Sequence, residues 1–536
     1  MRDRKMNEHE YVFGANILEN LTTGMYQDSK VIYREYIQNS CDQIDKAVKN
    51  GLLNKDEGKI EIWLDFEKRR ITIEDNATGI PSKEFKKKLG DIANSDKKIE
   101  IDKGFRGIGR LCGLAYCKEL VFTSKANGEK IISIMYCDAE KMRKMINENA
   151  YGQKHTAFDI LSSINRFETK NTNDVDSHYF KVELIEVNDE NTDLLNSKEI
   201  KNYLSFVAPV PYQASFYYRA QIKDHAKELN FKIDEYAITL DGEQIFKRYT
   251  KGLKKADNTE FDEVFDVVFH NFYDKQNKTL AWMWIGLTKC KQQIPKINYM
   301  RGLRLRKENI QIGGEDTLQK LFKEDRGNSY FVGEVFAVSK DLIPNSQRDY
   351  FNENSTRALF EKKLKQYFEN ELHKVYYTGS AVNSAIRKIN SANDLEKKFT
   401  NMDEQGLFVN DEHRNEKLKE VEKAKKEAES AHKRIQLEKN KATNISVKVI
   451  DQITSKASIP PVLKLTPKKN QAGQQIGNER ENPIELSKKI TKRADKLSSY
   501  SQEERDLISK IFDIILKSID NETAETVICK IEDGLS

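Results

Sequence analysis

VIYREYIQNSCDQIDKA (31–47) places Glu35, Asn39 and Asp42 at i, i+4 and i+7, so a helix over this stretch carries all three on one face. A carboxylate, an amide and a second carboxylate on one stripe suit a metal-nucleotide. Glu35 is placed to polarise a water as general base. The neutral oxygen of Asn39 is a donor of the kind Mg²⁺ takes, because that ion prefers oxygen ligands and keeps several of its waters. Taken alone, the stripe reads more readily as the solvated face of an ordinary charged helix.

Two further segments bear on the choice. RRITIEDNATGIP (69–81) is a β-run that ends in Asp75 and turns through Asn76 and Gly79. A carboxylate at a strand end can accept a hydrogen bond from an exocyclic amine, and Gly79 lets the backbone approach a flat ring closely. KGFRGIGRLCGLAYC (103–117) sets Gly104, Gly107 and Gly109 in a GxxGxG arrangement that runs into an apolar helix. The N–H groups of such a loop, with the helix N-terminus behind it, suit a phosphate. The spacing is not the dinucleotide G-x-G-x-x-G, and there is no P-loop with its lysine.

The order of the three segments, followed by a β-run with His155 and Thr156 (KHTAFDI, 154–160), resembles the GHKL superfamily of gyrases, heat-shock chaperones, histidine kinases and MutL proteins. The resemblance covers roughly residues 17–187 and implies a Bergerat-type α/β sandwich that binds and hydrolyses ATP with Mg²⁺. It implies that Glu35 activates water, Asn39 holds Mg²⁺ with Asp42 beside it, and Asp75 and Gly79 bind adenine with support from Thr156. Gly104, Gly107 and Gly109 would wrap the phosphates. One departure stands out: the family usually has glycine where this sequence has Ala77, and alanine tolerates most backbone geometries except positive φ.

YREYIQNSCD (33–42) and LGDIANSDK (89–97) look most like the ninety-kilodalton heat-shock chaperones and the MORC ATPases. LIPNSQRDYF (342–351) is similar to the chaperone middle-domain segment that carries a catalytic arginine, which falls on Arg348, with Asn345 nearby. A planar cation from a second domain can stabilise charge growing on the transferred γ-phosphoryl. RGLRLRKENIQIGG (301–314) is the other candidate reach. Arg304 and Arg306 share a face of a β-like run, Lys307 points oppositely, and a basic edge strand that discourages aggregation is the equal alternative.

Outward from these motifs the chain divides into five segments. Residues 1–195 read as the nucleotide domain, and 196–400 as a mixed α/β middle domain, a ribosomal-protein-like transducer in the resemblance. In the latter, Trp282 and Trp284 alternate with Met283 as in a half-buried strand. Residues 401–454 form a charged helix whose Val421, Ala424, Ala428, Ala431 and Ile435 repeat at 3,4 spacing, the seam of a coiled coil or helical hairpin. Residues 455–482 read as a flexible linker and 483–536 as a small helical module.

Ninety basic and eighty-five acidic residues leave a formal charge of +5, which weighs against a strongly cationic nucleic-acid sheath. The six cysteines form no CxxC pair, which fits a reducing compartment without structural zinc. No stretch approaches the roughly 18 to 20 apolar residues of a membrane helix. The expectation is a cytoplasmic ATPase acting as a molecular clamp, homodimeric through its N-terminal domain when ATP is bound, on a protein client or DNA. The alternative is a DNA-handling relative of MutL or topoisomerase ATPase subunits, for example in genome defence, with the lysines of 411–469 on phosphates. Phosphotransfer signalling fits poorly, because only His9 precedes the nucleotide segments.

Overall fold

The computed structural model describes residues 13–22, 24, 28–91, 109–150 and 155–455, with isolated positions between 508 and 531. The chain forms two compact units. One comprises the residues up to Thr288 together with Gln292–His373; the other comprises Lys289–Lys291 and the residues from Lys374.

The first unit opens with helices α1 (Asn16–Leu21) and α2 (Val31–Lys49), then strands β1 (Lys59–Asp65) and β2 (Arg70–Asp75) and helix α3 (Ser82–Gly90). A 3-10 turn at Gly109–Ala115 leads to β3 (Cys117–Lys125), β4 (Ile131–Asp138), α4 (Ala139–Ala150) and α5 (Ala157–Ile164). Next come β5 (Asn165–Asn171), β6 (Tyr179–Val187), α6 (Ser197–Val207), α7 (Arg219–Glu228), β7 (Ala237–Leu240) and β8 (Glu243–Gln244). Together they build an eight-stranded sheet of order β5-β4-β3-β6-β2-β1-β7-β8, antiparallel except for the parallel pair of β1 with β7.

Strict alternation makes these strands. In β2, Ile71, Ile73 and Asp75 point inward while Arg70, Thr72 and Glu74 lie at the partly exposed face. The inward isoleucines meet Ile32, Tyr36, Ile37 and Ile44 of α2, Phe85 of α3, Met142 of α4 and Ile160 of α5 in one core. The sheet draws on both sides of position 195, because β7 and β8 complete it.

After β8 the chain forms the ribbon β9 (Gly252–Lys254) and β10 (Glu260–Glu263), and then β11 (Asp266–Tyr273), β12 (Thr279–Leu287), β13 (Gly302–Lys307), β14 (Ile310–Gln311) and β15 (Val332–Ala337), followed by α8 (Ser355–Tyr367). The five-stranded sheet has the order β11-β12-β15-β13-β14. Two sequence expectations change here. β12 is buried on both faces, with Trp282, Met283 and Trp284 all inaccessible, because it lies between two neighbours and packs on both sides. β13 is likewise not an edge strand: it pairs with β15 on one side and β14 on the other.

A buried polar network ties this sheet together. Glu334 of β15 accepts from Arg306 of β13, from the Lys247 ammonium at 3.1 Å and from the Tyr212 hydroxyl. Arg306 also donates to the carbonyls of Asn309 and Phe206, at 2.8 and 2.6 Å. Lys247 reaches the Asn309 side-chain oxygen at 2.6 Å. Burial alone would raise the Glu334 pKa, but Arg306 and Lys247 outweigh it and hold the carboxyl below its ordinary range.

In the second unit, α9 (His373–Glu404), α10 (Asp411–Lys441) and α11 (Asn444–Ser455) follow one another. α9 and α10 run antiparallel, tied by Lys388–Glu427 at 3.5 Å, Lys425–Glu396 at 2.6 Å and Arg414–Asp403 at 2.7 Å. The Asn410 side chain caps α10 through the His413 amide. Val421, Ala428, Ala431 and Ile435 are buried, so this chain uses its 3,4 seam in an internal hairpin. Most of 455–482 and 483–536 lies outside the described residues. Among those described, no helix is long and apolar enough to cross a membrane.

Glu334→Gln is expected to lower the unfolding free energy by about 3 to 5 kcal/mol, because it leaves the buried Arg306 guanidinium without an answering charge, while Lys247, whose pKa burial already draws down to about 7, gives up its proton. Urea denaturation measures this; a loss below about 1 kcal/mol would mean the network is not needed to hold the sheet.

Candidate active site

α2 is buried along its first two turns because the sheet, the 109–115 turn and α6 surround it. Glu35 and Asp42 are consequently buried, and Asn39 is half-buried. The Glu35 Oε1 atom stands 3.5 Å from Arg34 Nη2 and 3.6 Å from Arg348 Nε. Arg34 in turn donates to the Gln347 carbonyl at 3.0 Å. Two guanidiniums from distant parts of the chain thus meet one carboxylate.

The loop that delivers Arg348 is a tight turn. Pro344 bridges Phe351, the Asn345 amide donates to the Tyr350 carbonyl at 2.9 Å, and the Asn345 side chain bonds Asp349. Arg348 itself has a positive φ of 55°, a conformation that costs free energy in a residue with a side chain. Its carbonyl accepts from the Gly313 amide at 2.8 Å. Gly313 has φ +66°, and a Cβ there would collide with Thr317 Oγ1 and lie 2.5 Å from the Asp349 carbonyl. Glycine at 313 therefore seats the arginine loop. Burial draws the Arg348 pKa below its usual value, and Glu35 opposes the shift.

Asp75 ends β2 and is almost inaccessible. Burial pushes its carboxyl up to about 7, against the pull of hydrogen bonds from Ser40 and from the Ala77 amide, the latter at 3.1 Å. Asn76 fastens the turn to Lys59 and Glu57, at 2.8 Å each. Ala77 is not among the residues with positive φ, so the departure from glycine leaves the turn intact. Gly79 does have positive φ, 61°, and a Cβ on it would strike the Lys125 carbonyl of β3. The Ile80 amide donates to Ser124 Oγ at 2.7 Å, and His178 Nδ1 lies 2.6 Å from the Ala77 carbonyl.

Gly109 lies against Glu35, where a Cβ would collide with Oε2. The Tyr36 hydroxyl donates to the Arg110 carbonyl at 3.0 Å and accepts from the Gly113 amide at 3.2 Å, so the residue after Glu35 fixes this turn. Gly104 and Gly107 lie outside the described residues. Thr156 is not on a β-run. Its hydroxyl is occupied by Asp159 in a reciprocal capping box at the start of α5, and its backbone bridges Gly14.

Arg304 and Arg306 are held inside the five-stranded sheet. Arg304 donates to Gln311 at 3.0 Å and to the Tyr299 carbonyl, while Arg306 is committed to Glu334, Asn309 and Phe206. Lys307 donates to the Ser339 carbonyl at 2.7 Å. Of these cations and Arg348, Arg348 is the one whose side chain reaches Glu35.

Sequence reasoning passed over Arg34, Ser40, Ser124 and His178. Arg34 stands beside Glu35 in the stretch first quoted, and its signal was a second guanidinium next to a buried carboxylate. Ser124 and His178 come from other strands, and only the pairing of β2 with β6 and of β6 with β3 brings them to the Asp75 turn.

Residues 27–173 match the family of histidine kinase-, DNA gyrase B-, and HSP90-like ATPases. This segment is a GHKL-type ATPase domain. The chain is also similar to chaperone protein HtpG of Francisella tularensis subsp. novicida, 32% identical over 102 residues, which is 17% of this chain and 16% of that protein. HtpG of Coxiella burnetii is 35% identical over 85 residues, 15% and 13% of the two chains. HtpG of Clostridium perfringens is 31% identical over 128 residues, 21% and 20%. The chain therefore spans a fifth or less of the length of the curated relatives it matches. The donor set of the GHKL domain fits Mg²⁺: a half-buried Asn39 beside two carboxylates offers one or two oxygens and leaves room for substrate phosphates and water.

If Asp75 accepts from an adenine amine, affinity for an ATP analogue should weaken about tenfold from pH 8 to pH 6 as the carboxylate takes up its proton. Calorimetric titration across that range tests this, with Asp75→Asn expected to flatten the profile; a pH-independent wild type would remove Asp75 from base binding. The same raised pKa means that its contribution to stability is full below about 4 and is lost as pH rises through about 7.

Proposed function

We propose that this chain is a Mg²⁺-dependent ATPase that works as an ATP-operated molecular clamp on a protein or DNA client. The contact between Glu35 of α2 and Arg348 of the loop after β15 is the observation that carries the reading. A general base and a transition-state cation, far apart in sequence, converge on one point.

In this reading Asp75 accepts the adenine amine, and Gly79 gives the ring close backbone approach. Glu35 takes a proton from the attacking water, and Arg348 turns from the carboxylate to the γ-phosphoryl oxygens as charge grows on them. Asn39 would hold Mg²⁺, which when bound neutralises phosphate charge. The pairing of Glu35 with Arg34 and Arg348 has to open for the carboxylate to serve as base. Substrate thus takes over Arg348 from Glu35, and binding is coupled to rearrangement of the loop seated on Gly313.

Dimerisation through the N-terminal domain in the ATP state completes the clamp, driven by the higher affinity of the closed state for ATP. The relatives it is similar to are chaperone proteins, which favours a protein client.

Glu35→Ala should lower turnover by a factor of about 100 or more while an ATP analogue still binds within a few-fold of wild type. Native-rate hydrolysis by that variant would refute the role of Glu35. Light scattering of Glu35→Ala with and without ATP tests the clamp: a dimer that forms only with ATP is expected, and a monomer in both states would exclude closure by dimerisation. Gly313→Ala should lower kcat about tenfold with affinity preserved, as expected for a displaced arginine loop. Unchanged kcat would show that Gly313 does not position Arg348.

A further inference from the structure

Gln38 of α2 is 1% exposed, and among the described residues neither its Oε1 nor its Nε2 has a hydrogen-bond partner. Leaving a buried amide group unsatisfied costs folding free energy, and here both ends are unsatisfied. A buried group left in this way calls for an explanation, and a catalytic role is one.

Its neighbours point to such a role. On a helix Gln38 is i+3 from Glu35 and i+4 from Arg34, and Asp42 is i+4 from Gln38, so these residues ring it on one surface. The charges that act on the Arg348 guanidinium include Glu35, Arg34 and Asp42, the same ring. Glu35 Oε1 and Arg34 Nε are also buried without a hydrogen bond. Unsatisfied donors and acceptors therefore collect on one turn of α2, at the carboxylate assigned above as general base.

We propose that Gln38 is a second catalytic residue of the hydrolytic site and holds the attacking water together with Glu35. This rests on the ATPase reading. Gln38 Oε1 accepts one O–H of the water, while Glu35 receives the other proton. The water oxygen forms a bond to the γ-phosphorus as the bond from that phosphorus to the β,γ-bridging oxygen breaks, and its electron pair leaves with ADP. The proton on Glu35 then passes to solvent. An amide suits this task because it can accept from the water without competing for its proton, which a second carboxylate would do. Arg348 stands 3.6 Å from Glu35 at rest, so its departure toward the phosphate opens the place that the water takes.

The test compares the full chain with Gln38→Leu and Gln38→Met, which roughly keep the volume and remove the amide. Steady-state ATP turnover should fall tenfold or more in both. The Kd of a non-hydrolysable ATP analogue should stay within twofold, and the melting temperature should hold or rise, because a buried unsatisfied group has been removed. In a Glu35→Ala background, Gln38→Leu should cost nothing further, since the two groups act on one water. Turnover within twofold of wild type would overturn the proposal. So would a turnover loss matched by a lower melting temperature or weaker analogue binding, or failure of both variants to fold, since each marks Gln38 as a packing residue. Absence of turnover in the wild-type chain would instead refute the ATPase reading, and the role of Gln38 with it.

Discussion

The Glu334 carboxylate answers two buried basic side chains at once, and the placing of Arg348 depends on that pairing. Arg306 and Lys247 are both inaccessible, and neither could stay charged there without a buried anion. Once Glu334 holds Arg306, β13 is locked against β15 and the turn into β14 is fixed through the Asn309 carbonyl. Gln311 at the end of β14 donates to the Gly313 carbonyl at 2.9 Å, and the Gly313 amide grips Arg348. Hydrogen bonds thus lead from the interior of one sheet to the Arg348 loop, whose guanidinium stands 3.6 Å from the carboxylate of Glu35.

The Asp75 turn follows a different logic. It is set by close approach: Gly79 abuts the β3 backbone, and Ser124 and His178 fasten the turn from neighbouring strands. Little solvent remains around the carboxylate, and desolvation is the leading cause of its raised pKa. The Asp75 turn and the Glu35 face of α2 therefore meet opposite electrostatic conditions. Asp75 is a carboxylate short of counter-charge, whereas Glu35 lies between two guanidiniums.

Much of this was legible in the chain itself. The 3.6-residue stripe of Glu35, Asn39 and Asp42, and the period-2 run ending in Asp75, are local patterns, and the structure presents them as a helix and a strand. The seam from Val421 to Ile435 was legible for the same reason, although periodicity alone could not say whether its partner was α9 or another chain. What depended on long-range pairing was not legible. The run around Thr156 has strand-like composition, but Thr156 and Asp159 meet the local demand of a helix start. Arg304 and Arg306 share a face whether they line an edge or an interior strand, and only the pairing of β14 with β13 makes them interior. The unsatisfied amide of Gln38 has no sequence signature at all, because solitude in a core is a property of neighbours.

The parallel pairing of β7 with β1 bears on how the chain is made. The ATPase sheet is closed at one side by residues 237–244, which emerge only after α6 and α7. Until the ribosome has released that stretch, β1 presents a row of unpaired N–H and C=O groups beside Trp63, an edge that other chains can add to. A fragment stopped at 195 would keep that edge permanently. The nucleotide-binding layer is therefore not a module that precedes the rest, and its completion waits on the translation of its neighbour.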